Sequence, residues 1–349
     1  MELTTLWFIL IAVLWTGYFV LEGFDFGVGM LLPVIGRAAD RDLGERRRRV
    51  LINTIGPVWD GNEVWVITAG GATFAAFPEW YATMFSAFYL ALLLILVALI
   101  VRGVAFEYRG TRDSARWRQR WDWCIVAGSA IPAFLWGVAF ANIVRGLKIA
   151  PRPLNGGPLE YIGGFWDLLN PYALLGGLTT LLLFLTHGAI FLALKTTGDV
   201  RDRARNVATG TGLAAAVVAV AFLLFTFSQR STAWSIATGV LAAASFVAGL
   251  LVLRGRRPRE GWAFLGTAVA IGLTVVSLFL ALYPDVMPST LRDEWSLTIH
   301  NASSTPYTLK IMTWVALVFT PLVLLYQGWT YWVFRKRIGV QHIPAGSGH

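Results

Sequence analysis

The sequence predicts an all-α polytopic membrane protein of about nine transmembrane helices, and three observations carry that expectation. Hydrophobic residues make up 56% of the 349 and charged residues only 14%, more apolar surface than a soluble domain can bury. Apolar runs of about 20 residues recur from end to end, each long enough to cross ~30 Å of hydrocarbon. Lys and Arg leave a formal net charge of +9, yet they fall in short clusters between those runs. The charge therefore reads as a topology signal, and no nucleic acid is expected as a partner.

The spans are expected at 6–35, 50–70, 80–101, 121–144, 172–194, 206–228, 233–253, 262–283 and 307–334. No basic n-region or small-residue cleavage site marks the first as a signal sequence, and its apolar run is too long for one, so it reads as a retained helix. The segments 37–49, 102–120, 195–205, 254–259 and 335–337 hold most of the Lys and Arg, and nine alternating spans put all five on one side. By the positive-inside rule that side is cytoplasmic, which sets the N-terminus outside and the C-terminus inside. Trp80 and Tyr81, Trp121 and Trp123, and Trp329, Tyr331 and Trp332 stand at expected span edges, where amphipathic rings anchor a helix at headgroup depth. Two outer loops, 145–171 and 284–306, exceed simple turns and either cap a site or merely connect. Residues 1–349 read as a single membrane domain, with 335–349 a cytoplasmic tail whose Gly-Ser-Gly-His end is expected to be disordered.

Ionisable groups inside a span are expensive, so each is a functional candidate whose partner has to be found. In Leu21-Glu22-Gly23-Phe24-Asp25-Phe26-Gly27-Val28-Gly29, Glu22 and Asp25 are three apart and share one helix face. The glycines between and after them suit close helix packing, which is the structural alternative for this stretch. The second span opens with Gly56-Pro57-Val58-Trp59-Asp60-Gly61-Asn62-Glu63-Val64-Trp65. Here Asp60 and Glu63 share a face, and Asn62 can satisfy either a carboxylate or its proton. Such carboxylates suit a proton relay or a helix-packing polar cluster. Arg102 sits where the third span is expected to end, either pairing with one of these carboxylates or snorkelling to the surface.

Cys124 is the only cysteine, which excludes an intrachain disulfide and any Cys-based zinc or iron–sulfur site, and no metal site is expected. His187 is the one histidine clearly within a span. His300 falls in an outer loop, and His342 and His349 fall in the tail. A membrane haem held by two facing histidines therefore cannot be built from this chain alone. Phosphate-binding, dinucleotide-binding and hydrolytic motifs are not recognisable, which leaves proton and quinone chemistry.

These residues resemble subunit II of the cytochrome bd-type quinol oxidases of bacterial respiratory chains, nearly end to end. The resemblance is carried by Gly23-Phe24-Asp25-Phe26-Gly27-Val28-Gly29-Met30, by Trp59-Asp60-Gly61-Asn62-Glu63-Val64-Trp65 and by Ile67-Thr68-Ala69-Gly70-Gly71-Ala72. Phe106-Glu107-Tyr108-Arg109, Leu169-Asn170-Pro171, Met287-Pro288-Ser289 and Leu325-Tyr326-Gln327 add to it. Some members carry a histidine where this chain has Val58, and some carry Gln in place of Glu63.

The resemblance implies two four-helix bundles plus one peripheral helix, which would divide the chain into 6–144, 172–283 and 307–334. It implies a bacterial plasma-membrane location and a haem-bearing partner, subunit I, with two b-type haems and one d-type haem. It also implies oxidation of quinol with reduction of O2 to water, generating a proton-motive force without pumping. A structural quinone and a small accessory transmembrane subunit occur in some members, with membrane lipids around the whole. Arg-rich inner loops and the last helix look like actinobacterial members, which makes menaquinol the expected donor. By motif position Asp60 is the expected proton-relay carboxylate, with Asp25, Glu22 and Glu63 helping it and Trp59, Asn62, Trp65 and Arg102 near the subunit I interface. The competing readings are a proton-coupled secondary transporter built on the same intramembrane carboxylates and a purely structural assembly subunit.

Overall fold

A computed structural model describes residues 2–152, 157–255 and 259–344. Its α-helices are α1 Leu3–Ile35, α2 Arg41–Ile55, α3 Trp59–Ala76, α4 Pro78–Ala87, α5 Tyr89–Tyr108, α6 Ala115–Arg145, α7 Pro171–Lys195, α8 Gly198–Gln229, α9 Ala233–Arg254, α10 Glu260–Leu282 and α11 Pro306–Val333. Two short antiparallel ladders interrupt them. One pairs β1 Ile149–Pro151 with β2 Leu159–Tyr161, and the other pairs β3 Asp285–Met287 with β4 Leu297–Thr298.

Among the described residues, eight helices are long and apolar enough to cross a membrane: α1, α5, α6, α7, α8, α9, α10 and α11. The expected span at 50–70 is not one helix. It breaks at Gly56-Pro57-Val58, where Pro57 has no N–H to donate and its ring would clash with the carbonyl four residues back. Residues up to Ile55 belong to the charged helix α2, which starts on the Asp40 side chain accepting from Asp42 N at 3.0 Å. Beyond the break the chain continues as α3, 18 residues long, or about 27 Å of rise. Its C-terminal Ala76 carbonyl accepts from Ser304 N, just before α11, at 2.8 Å. Near its start Asn62 bonds Tyr331 at the far end of α11. So α3 runs antiparallel to α11 through the same thickness and makes a ninth crossing, despite its polar residues.

The third expected span also shifts. A short helix, α4, leads into α5 at Phe88, and α5 continues to Tyr108 instead of ending near Val101. Arg102 therefore lies inside the protein and not at the membrane surface.

Helix α1 is the axis of the molecule, packing against α3, α6, α7 and α10. Helices α5 and α6 close one side and α8 and α9 the other, while α11 packs chiefly on α1 and α3. Close approach at the α1–α7 crossing depends on missing side chains: a Cβ on Gly27 would lie 2.1 Å from the Phe184 carbonyl oxygen, and one on Gly188 would lie 2.6 Å from Gly27 Cα. Contacts of this kind drive helix association where lipid removes the hydrophobic effect. Beside that seam an aromatic cluster fills the interior, with Trp15 edge-on to Trp136 at 4.9 Å and Trp136 Nε1 donating to Tyr18 OH at 3.1 Å.

Among the described residues, the basic segments gather on one face, while 256–258 lie outside them. Arg47 pairs with Asp199, Arg109 with Glu45 at 2.8 Å and Asp122 at 2.5 Å, and Glu260 with Arg201 at 2.5 Å and Arg337 at 3.5 Å. The start of the tail docks there too, with Ile338 N donating to Lys195 O at 2.9 Å and Thr197 N to Ile338 O at 3.0 Å. The Gly-Ser-Gly-His end lies outside the described residues. On the opposite face the two long loops join: Leu147 N donates to Pro288 O at 2.9 Å and Thr290 N to Leu147 O at 2.8 Å. The two connectors are thus tied to each other.

Candidate functional site: a buried carboxylate cluster

The helical spacing that sets Glu22 and Asp25 on one face of α1 aims both into the protein, where neither is exposed to solvent or lipid. Arg102 of α5 ion-pairs with Glu22, and it too is wholly buried. Its guanidinium lies 4.8 Å from the Phe26 ring centroid and 5.4 Å from that of Phe106, so aromatic faces supply part of the solvation that water would give. The choice between pairing and snorkelling is thus decided in favour of pairing.

Asp25 Oδ2 accepts from Asn62 Nδ2 of α3 at 2.7 Å. Asn62 Oδ1 in turn accepts from Tyr331 OH at 2.7 Å and Gln327 Nε2 at 3.1 Å, both on α11. Trp65 Nε1 donates to Gln327 Oε1 at 2.9 Å. One amide therefore links three helices, with both polar atoms of the Asn62 side chain engaged, by the buried Asp25 and the partly buried Gln327 and Tyr331. By contrast Glu22 Oε2, Asp25 Oδ1, and Arg102 Nε and Nη2 are buried without a hydrogen-bond partner among the described residues. The two carboxylate oxygens are where the cluster can take up a proton, and all four atoms can bond water.

Asp60, the expected relay, stands apart from this group. It is on the exposed side of α3, accepting from Gly61 N at 2.7 Å. With Asn62, Trp65, Gln327 and Tyr331 it lines a cleft of about 530 Å³ between α3 and α11. Glu63 is partly buried and feels the charges of Arg102 and Asp60 without bonding either. Trp59 packs on Phe106 at 5.0 Å. The structure thus brings Glu22, Asp25, Asn62, Trp65 and Arg102 together and leaves Asp60 at the rim. Gln327 and Tyr331 were not among the expected site residues. Gln327 stood in a motif of the resemblance and Tyr331 among the span-edge aromatics, and what joins them is a spacing of four in the apolar last helix, which puts them on one face.

A family model, cytochrome bd terminal oxidase subunit II, matches residues 3–334, so it spans every crossing and the whole cluster. The chain belongs to this family. It is similar to the cytochrome bd ubiquinol oxidase subunit 2 of Bacillus subtilis (strain 168), with 44% identity over 343 residues and 97% of each chain covered. It is also similar to the cytochrome bd-I ubiquinol oxidase subunit 2 of Escherichia coli (strain K12), with 36% identity covering 98% of this chain and 97% of that one. The fold matches a chain in the structure of bd oxidase from Geobacillus thermodenitrificans, with a TM-score of 0.75 over 96% of this chain and all of that one. At 17% identity that likeness speaks for the fold alone.

Membership makes this bd-family chain a multi-pass subunit of an oxidoreductase complex that contains haem and a partner subunit I, and it separates the oxidase reading from that of a carrier. His187 Nδ1 is engaged with Thr267 Oγ1 at 2.7 Å, and its ring stacks on Phe264 at 4.5 Å between centroids. Its Nε2 is buried without a hydrogen-bond partner among the described residues, and its neighbour Gly188 touches the α1 backbone directly.

Proposed function

We propose that this chain braces subunit I of a quinol-oxidising, O2-reducing terminal oxidase and carries part of its proton traffic through the α1–α3–α5 cluster. The partner in this reading holds two b-type haems and one d-type haem, menaquinol is the donor, and the basic face with the C-terminus is cytoplasmic. Segments 6–144 and 172–283 act as two bundles, with α11 peripheral. A structural quinone and a small accessory transmembrane chain are compatible additions that the reading does not require.

The observation that carries the proton role is one guanidinium, Arg102, shared electrostatically by the three carboxylates Glu22, Asp25 and Glu63. A single cation can compensate one of them, and in a low-dielectric site the others bind and release protons as a group. Asp60, at the rim of the cleft that Asn62 also lines, is positioned to pass protons between that group and the surface covered by subunit I. Support for that interface comes from the apolar residues that α3 and α5 leave exposed beside the cluster, including Ile67, Leu93, Leu96 and Ile100.

The test is the complex purified through a tag on this chain, with haem content read from its reduced-minus-oxidised spectrum. Asp60→Asn should preserve that spectrum and lower quinol-dependent O2 uptake by about tenfold or more, as loss of a proton-transfer group does. Unchanged turnover in an assembled complex would reduce Asp60 to a packing residue, and a haem-free single chain would remove the oxidase role.

A further inference from the structure

Next to the break between α2 and α3, on the basic face, the structure holds a second cleft of about 720 Å³ that the proton reading does not use. Its inner wall is apolar, with Val20, Leu21 and Phe24 of α1, Phe191 and Leu194 of α7, and Phe264 of α10. Its mouth is cationic, formed by Lys195, Arg335, Lys336 and Arg337. Arg337 answers Glu260. Lys195, Arg335 and Lys336 take part in no ion pair among the described residues: Lys195 Nζ holds the Phe334 and Lys336 carbonyls, and Arg335 Nη1 donates to the Trp332 carbonyl at 2.6 Å. Three positive charges therefore stand over an apolar slot at the level where helices meet the headgroups.

We propose that this cleft is a binding site for an anionic phospholipid, with its phosphate against Lys195, Arg335 and Lys336 and an acyl chain against Phe24, Phe191 and Phe264. The volume lies in the range of sites that enclose one small ligand, and basic pockets between transmembrane helices select anionic headgroups. Charge complementarity favours an anionic head over that of an isoprenoid quinone, which carries no charge to pair with the cations. The site also has a structural consequence. Tyr331 lines this cleft and the α3–α11 cleft alike and donates to Asn62, so a lipid seated here holds the end of α11 in the position that completes the carboxylate cluster.

The experiment measures binding of labelled phosphatidylglycerol and, separately, phosphatidylcholine to the immobilised whole complex in mixed detergent micelles. Saturable binding of phosphatidylglycerol, uncontested by phosphatidylcholine, is expected. Arg335→Gln with Lys336→Gln, both on exposed residues, should weaken it about thirtyfold, two near-surface cations at about 1 kcal/mol each. Leu194→Trp should abolish it by filling the slot with the cations intact. The haem spectrum checks assembly of each variant, and if Leu194→Trp fails that check the charge variant decides alone. Equal binding of the two lipids, undiminished binding in the charge variant, or displacement of phosphatidylglycerol by an added isoprenoid quinone would each overturn the proposal.

Discussion

Glu22 and Arg102 form the pair on which the interior of this bd-family subunit turns. Both are fully buried, and removing one partner of a buried ion pair costs about 3–5 kcal/mol. Glu22→Gln should therefore lower the melting temperature of the assembled complex steeply, as should Arg102→Met. Combining them removes both charges and should recover much of the loss, since an apolar replacement of a buried pair is often close to neutral. Melting curves of the four proteins check this, and purely additive losses would mean the two groups are not charged partners. The carboxylates of this site were legible in the sequence because each interrupts an apolar run at helical spacing. Arg102 and Asn62 were legible as candidate partners, but which carboxylate each one holds was not, since Arg102 stands 80 residues from Glu22, and Tyr331, 269 residues from Asn62, was not expected there. The three-residue spacing that set Asp60 beside Glu63 was sound, but it could not tell which side of α3 faces the protein, and Asn62 took the buried side.

Among the helices, composition was enough to locate seven crossings, most of their ends to within a few residues, because a bilayer demands length and apolarity and little else. It misjudged the elements whose interior is polar. Residues 50–70 averaged into one span although Pro57 divides them, and α5 was ended at Arg102 because a charge was read as a boundary. Packing between helices was legible only through glycine, and there the close approaches differ sharply in consequence. At Gly27 a methyl group would meet the Phe184 carbonyl oxygen at 2.1 Å, while at Gly210 of α8 nothing lies within 4 Å. Gly27→Ala should push α1 off α7, destabilising the complex by about 1–3 kcal/mol as overpacking does. Gly210→Ala should be neutral or stabilising by up to about 1 kcal/mol, since alanine is the better helix former. Thermal melts of the two variants under one set of conditions check the contrast, and equal gains would show that helix propensity rather than the α1–α7 contact is being measured.

For the whole molecule, the distribution of Lys and Arg foretold that five segments share a face, but not that they are laced to carboxylates there. Glu45 of α2 is the knot. Its carboxylate accepts from Arg109 Nη1 at 2.8 Å and Nη2 at 2.9 Å and from Arg48 at 3.1 Å, while Arg109 also holds Asp122 of α6. Burial works against the charge on Glu45, but the Arg109 hydrogen bonds and the charges of Arg109 and Arg48 outweigh it and hold its carboxyl below the usual glutamate value. A group whose folded value is depressed contributes stability above its unfolded value and loses it as pH falls through the folded one. The tie between α2, α5 and α6 should thus be at full strength at neutral pH, begin to weaken as pH approaches about 4.3, the unfolded value for Glu, and be gone once the depressed value is passed. Glu45→Gln should melt lower than the unmodified complex at pH 7, because charge-assisted bonds worth about 2 kcal/mol are lost. The gap between the two should close as the medium is acidified through that window. Melting temperatures measured from pH 7 down to about pH 3.5 decide it, and a gap that stays constant would mean that Glu45 holds these helices by shape and not by charge.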